Sequence, residues 1–216
     1  MVLPLAAPYA DRRRHHRDAA HVDRAPDPQG LRPPPNRPQG VTVPHITPEI
    51  QALVGAKGPV QTAPLPLGAD TLRRFMQAVM DPNPVHYDEA AAKAAGFGGV
   101  VAPPLQPQHL FQRAPGAPDP FEKFKEDADW DGMGGGGNTG LPKVELPLKR
   151  LLNGGYSCEF YQLARVGDLI SRQSRYSSIT ERESSSGPMV FINTETTYTN
   201  QHGAILMRVV QTTIAR

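Results

Sequence analysis

The last third of the chain alternates apolar and polar residues with period two, and this constrains the fold more than any other feature. Tyr156, Cys158 and Phe160 alternate with Ser157, Glu159 and Tyr161, and Leu169 to Thr180, Met189 to Thr199 and Ala204 to Ala215 follow as long strand-like runs. Gly167 and Asp168, Ser184 to Pro188, and Asn200 to Gly203 separate them. Period two lays one apolar row along one sheet face, and connections this short join only antiparallel neighbours. An antiparallel meander is expected. Helical patterning comes earlier. Thr47 reads as an N-cap before Pro48, with Ile50, Leu53 and Val54 on one face. Val60 to Leu67 reads as a proline-limited edge strand. Asp70 reads as the cap of a second helix in which Leu72, Phe75, Met76 and Val79 recur at helical spacing, stopped at Asp81 by Pro82 and Pro84. Asp88 restarts helix over Glu89 to Ala95, with Gly96 as its left-handed stop. The alanines of that third helix admit close neighbours and point to burial against a sheet. Helices early and long strands late give an α+β class with a curved sheet wrapped on a helix.

A chain of 216 residues holds one domain or at most two. Its 24 prolines and 20 glycines cluster. Residues 1–45 carry nine of the prolines and the run Arg12-Arg13-Arg14-His15-His16-Arg17, with no apolar period, and read as a flexible tail before a domain spanning 46–216. Residues 114–148 form a long excursion containing Gly134 to Gly137, with a helical turn near Phe121 to Lys125. Neither a preceding strand nor a following Lys-Ser or Lys-Thr supports a phosphate loop there. Seven of the 23 basic and four of the 21 acidic residues fall in 1–45, leaving 16 against 17 in the body. That balance argues against a nucleic-acid partner. No apolar run reaches the length of a membrane span, and Pro4 and Pro8 interrupt any signal-like start. A lone cysteine, Cys158, excludes an intrachain disulfide and a multi-cysteine zinc site. It reads as a small core residue in a cytoplasmic protein. Neither metal nor redox cofactor is expected.

Asp81-Pro-Asn83-Pro-Val-His86-Tyr-Asp88 is the segment that could carry chemistry. Two prolines pin a carboxylate, an amide and an imidazole within six residues. A carboxylate and imidazole pair suits the addition or removal of water across a double bond, because one proton must leave and another arrive. The same residues also fit a helix-end cap at Asp81, an Asx turn at Asn83 and a satisfied half-buried histidine at His86. His109, with no polar neighbour in sequence, reads as structural.

The pattern Asp81-x-Asn83-Pro84-x-His86-x-Asp88, with Ala92, Gly96-Phe97 and Val100-Val101-Ala102-Pro103 following, resembles the hydratase motif of the MaoC-like dehydratases and type 2 enoyl-CoA hydratases. Leu152-Asn153-Gly154-Gly155, Arg165-Val166-Gly167-Asp168 and the stretch from Ser186-Gly187-Pro188 to Thr199-Asn200 are similar to the N-terminal dehydratase-domain branch of that family. The resemblance covers roughly residues 46–216. It implies a single hot-dog fold with Glu89 to Ala95 in the central helix, thioesters of coenzyme A or acyl carrier protein as ligands, and assembly as a homodimer or with another hot-dog subunit. It implies Asp81 and His86 as the catalytic pair, with Asn83 orienting water. It places Pro103, Pro104 and Leu105 along the substrate, where the family uses a glycine N–H to hold the thioester oxygen. Proline has no N–H to offer there. Lys149 and Arg150 are candidates for coenzyme A phosphates, or for a solvated face. The expected function is hydration of trans-2-enoyl thioesters or dehydration of (R)-3-hydroxyacyl thioesters; the alternative is an acyl-binding subunit without catalysis. The excursion is expected as a lid or a clasp on a neighbouring subunit, burying Phe121, Phe124 and Trp130.

Overall fold

A computed structural model describes residues 44–111, 116–119, 121–128, 139–148, 150–185 and 187–216. Five antiparallel strands form one sheet: β1 (Gln61–Thr62), β2 (Leu151–Phe160), β3 (Ser171–Ser184), β4 (Gly187–Thr199) and β5 (Ile205–Ala215), in the order β1-β3-β4-β5-β2. The meander expected from the alternation holds for β3, β4 and β5. β2 departs from it by crossing to the far side and pairing with β5, from Leu151 opposite Ala215 to Phe160 opposite Met207. The edge strand expected over Val60 to Leu67 shrinks to two paired residues, because Pro64 and Pro66 have no N–H to give a ladder.

One bulge decides which side chains face inward. Tyr176 pairs with Thr194 and Ile179 with Ile192, with the extra residue between Tyr176 and Ser178. An odd step along β3 is thereby matched to an even step along β4, and Ile179 stays on the face of Tyr176. That face carries two clusters. Tyr198, Met207 and Val209 pack with Leu67, Ile170 and the helix residues Leu72 and Met76. Tyr176, Ile179, Val190 and Ala215 pack with Ile50, and Leu141, Val144, Leu146 and Leu148 close over them. Cys158 packs against the first cluster, as a small core residue should.

Helix α1 (Pro48–Ala52) begins as the sequence indicates, with the Thr47 hydroxyl accepting from the Ile50 N–H. Helix α2 (Ala69–Val79) is capped by Gly68 rather than Asp70. Asp70 lies inside the first turn, where its carboxylate accepts from Arg73 and Arg74. The helix ends two residues before Asp81, at Val79, because Met80 turns left-handed at φ 53°. Helix α3 (Glu89–Ala94) has its Asp88 cap, but the expectation of burial holds only for Ala92. Both α2, through Leu72 and Met76, and α1, through Ile50, pack on the sheet. In the excursion, the expected turn occurs at Glu122–Lys125, with Phe121 and Phe124 exposed and stacked on each other at 6.3 Å. Residues 139–148 pack on this chain's own second cluster. Residues 1–43, Trp130, Gly134 to Gly137, Lys149 and Ser186 lie outside the described residues. No helix among the described residues is long and apolar enough to cross a membrane.

Candidate active site

The segment after α2 is built as a chain of local caps. The Asp81 carboxylate accepts from the Asn83 N–H at 3.0 Å, and the Asn83 side-chain oxygen accepts from the Val85 N–H at 3.3 Å. Pro84 opens a 3₁₀ turn ending at His86, and the Tyr87 hydroxyl donates back to the Pro82 carbonyl at 2.9 Å. These contacts set the path of the backbone so that His86 points inward, 5% exposed. Its Nδ1 lies 2.7 Å from the carbonyl oxygen of Val101. A carbonyl only accepts, so Nδ1 carries the hydrogen and Nε2 of the neutral ring is bare. Val101 is itself tied in place, its N–H donating to Val85 and its backbone bridged to Arg165.

Nε2 of His86 faces Oδ2 of Asp81 at 3.7 Å. That is too long for a direct hydrogen bond and leaves both groups free to share a third partner. The two side chains line one cavity of about 1000 Å³, with Leu72 and Met76 of α2 and Val100 and Val166 as apolar wall. A buried imidazole beside a half-exposed carboxylate, in a mostly apolar pocket, is an arrangement for moving a proton on a largely apolar ligand. Among the described residues no group of three or more His, Cys, Asp and Glu side chains is placed to hold a metal ion.

The structure therefore brings Asp81 and His86 together and separates them from the other sequence candidates. Asn83 is exposed and caps the turn, and it is not part of the cavity wall. Pro103 is buried, Pro104 half-buried and Leu105 exposed; they lead into the 3₁₀ turn Gln106–Leu110 and do not line the cavity. Arg150 pairs its backbone with Arg216 in both directions, also away from the cavity. Lys149 is outside the described residues. His109 is exposed, with its ring 5.1 Å from that of Phe75, and does not line the cavity. Arg165 does line the cavity and was not singled out by sequence. Its signal was the turn Arg165-Val166-Gly167-Asp168, which reads as a strand connection until the fold bridges Arg165 to Val101.

Residues 52–209 match the family model described as FAS1-like, dehydratase domain region. A UPF0336 protein of Streptomyces avermitilis is 30% identical over 129 residues, 60% of this chain and 72% of that protein. A probable enoyl-CoA hydratase alpha subunit of Thermomonospora curvata is 31% identical over 162 residues, covering 73% of this chain and 47% of its own length. In structure, the chain is similar to one in the crystal structure of the ChsH1-ChsH2 complex from Mycobacterium tuberculosis, with a TM-score of 0.56 at 19% identity over 77% of this chain and 86% of that one. This likeness shows a shared hot-dog fold.

Proposed function

From a chain that belongs to the FAS1-like dehydratase region of the MaoC-like hot-dog family, we propose a hydro-lyase that adds water to trans-2-enoyl thioesters, or removes it from (R)-3-hydroxyacyl thioesters, carried on coenzyme A or acyl carrier protein. The observation that carries this reading is the His86 lock: Nδ1–H spent on the Val101 carbonyl, and Nε2 turned to Asp81 across 3.7 Å in the cavity. A water held between them gives one hydrogen bond to Nε2 and the other to Asp81, and loses only one of its two protons, the second staying on the new hydroxyl. As its oxygen adds to the β-carbon, the proton taken from it is available for return to the α-carbon. Apolar walls favour this by excluding competing water. Asn83 serves at one remove, by fixing the turn. The test follows loss of the enoyl chromophore across a panel of enoyl-CoA esters. Asp81→Asn and His86→Ala should each lower kcat at least 100-fold; unchanged rates would reject the assignment.

A second reading is favoured by the oxyanion position that the resemblance implies at Pro104, a residue that does not line the cavity and has no N–H. Loss of one donor to the thioester oxygen as charge develops costs about 100-fold to 1000-fold in rate. In this reading the chain holds the acyl group while another hot-dog subunit completes the donor set. The names alpha subunit and ChsH1-ChsH2 complex among its relatives belong with it. Activity appearing only on co-expression with such a subunit would select it over the first reading.

A further inference from the structure

One residue of the cavity wall is more strained than its place in the chain requires. Helix α2 has to stop before Asp81 for the turn that carries His86 to begin, and it stops with Met80 in the left-handed conformation, φ 53° and ψ 38°. Among the described residues Met80 is the only one besides glycine with a positive φ. Glycine is the usual residue at such a helix end, because a Cβ is crowded there. Methionine in addition leaves a large apolar side chain in water, 84% exposed. Both penalties fall on a residue that lines the cavity of Asp81 and His86 and directly precedes Asp81. Backbone strain that persists beside a reactive pair is a pointer to function.

The row that Met80 extends indicates the contact it makes. Leu72, Met76 and Met80 follow one another at a spacing of one helical turn, and all three line the cavity. Leu72 and Met76 are 2% and 6% exposed and belong to the first core cluster, so packing fixes them. Met80 continues the row into solvent, free to move. An unbranched thioether on three rotatable bonds lays itself along apolar surfaces of different shapes. It offers no charge and no hydrogen-bond donor, so the part of a ligand that it suits is hydrocarbon. Resting on the thioester reading above, we infer that Met80 is a binding residue for the acyl group: it folds against the carbons beyond the reacting double bond and so sets the preference for acyl length. A butyryl group has a single methyl to place there and gains little, whereas an octanoyl group has a chain.

Calorimetric titration of the full chain, purified with any subunit that accompanies it, tests this with butyryl-CoA and octanoyl-CoA, saturated esters that bind without reacting under either reading of the function. Met80→Ala should weaken octanoyl-CoA about tenfold and change butyryl-CoA by less than about twofold. Met80→Leu should bind both within about twofold of wild type, since it keeps an apolar side chain of similar volume. Met80→Gly should lose the same affinity for octanoyl-CoA while its unfolding midpoint in urea rises, which separates the contact with ligand from any damage to the fold. No loss in Met80→Ala, or an equal loss on the two esters, would overturn the inference. So would a change of assembly state in Met80→Ala, by light scattering, with both affinities kept, because Met80 would then pack against a subunit. Wild type binding neither ester would reject the thioester reading, and this inference with it.

Discussion

Met80 sits 84% exposed in a left-handed backbone conformation, φ 53° and ψ 38°, one residue before the Asp81 carboxylate. A side chain there costs free energy that glycine does not. Met80→Gly should raise stability by about 0.5–1 kcal/mol, read from urea unfolding. A fall would mean that Met80 packs against something in the assembled protein. Gln106 offers a second test: it is 1% exposed, and its side-chain oxygen has no hydrogen-bond partner among the described residues. Gln106→Met keeps similar volume without the stranded acceptor, and should leave stability unchanged or raise it by about 1 kcal/mol. A loss of that size would reveal a donor supplied by ligand or subunit.

Between elements, the Arg175 and Glu195 side chains join β3 to β4 by a fork, Nε to Oε1 at 2.9 Å and a terminal nitrogen to Oε2 at 3.0 Å. The hydrogen bonds from Arg175 hold the Glu195 carboxyl below its usual range, against a smaller opposing effect of burial. A depressed folded pKa stabilises above the unfolded value, and that contribution is lost as pH falls through the folded one. Glu195→Gln should therefore be less stable than wild type near neutrality by up to about 1 kcal/mol. The two should converge in acid below the carboxylate range, as measured by unfolding across a pH series. The 139–148 segment is held in a comparable way, its Pro142 carbonyl accepting from the Tyr176 hydroxyl at 2.8 Å and its apolar side chains covering the second cluster. Trypsin should cut at Lys123 or Lys125, in the exposed turn, before Lys143. Tyr176→Phe should hasten the Lys143 cut while costing about 1 kcal/mol.

At the scale of the whole fold, the described residues leave apolar surface exposed. β2 is an edge strand, and Leu151, Leu152, Tyr156 and Phe160 along it are all exposed. An edge so long and apolar is open to strand addition, in keeping with the proposed pairing to a second hot-dog unit. The protein should sediment as a dimer or larger. Leu152→Lys with Tyr156→Lys should shift it toward monomer without lowering the content of β structure, by light scattering and circular dichroism. A concentration-independent wild-type monomer that recruits no hot-dog subunit would contradict the pairing.

Period two and the Pro-Gly punctuation, both local, were enough to read three of the long strands, the Thr47 and Asp88 caps and the α+β class. The hot-dog fold and the Asp81 and His86 candidates were also legible, through a motif in which two prolines keep the spacing rigid. What sequence could not convey is long-range. The crossing of β2 to pair with β5 depends on which free edge remains once β3, β4 and β5 have joined. The phase of β3 depends on a bulge after Tyr176 that alternation alone does not reveal. For Asn83 the sequence offered both an Asx turn and, through the resemblance, a water-orienting role, and the structure shows its oxygen accepting from the Val85 N–H. Arg165 lies 79 positions after His86, too far for any spacing argument, yet its backbone bridges Val101, whose carbonyl fixes the imidazole. Sequence determined the chemical groups and their local order; tertiary structure decided which share a cavity, because a cavity is made by pairings between residues that no local pattern connects.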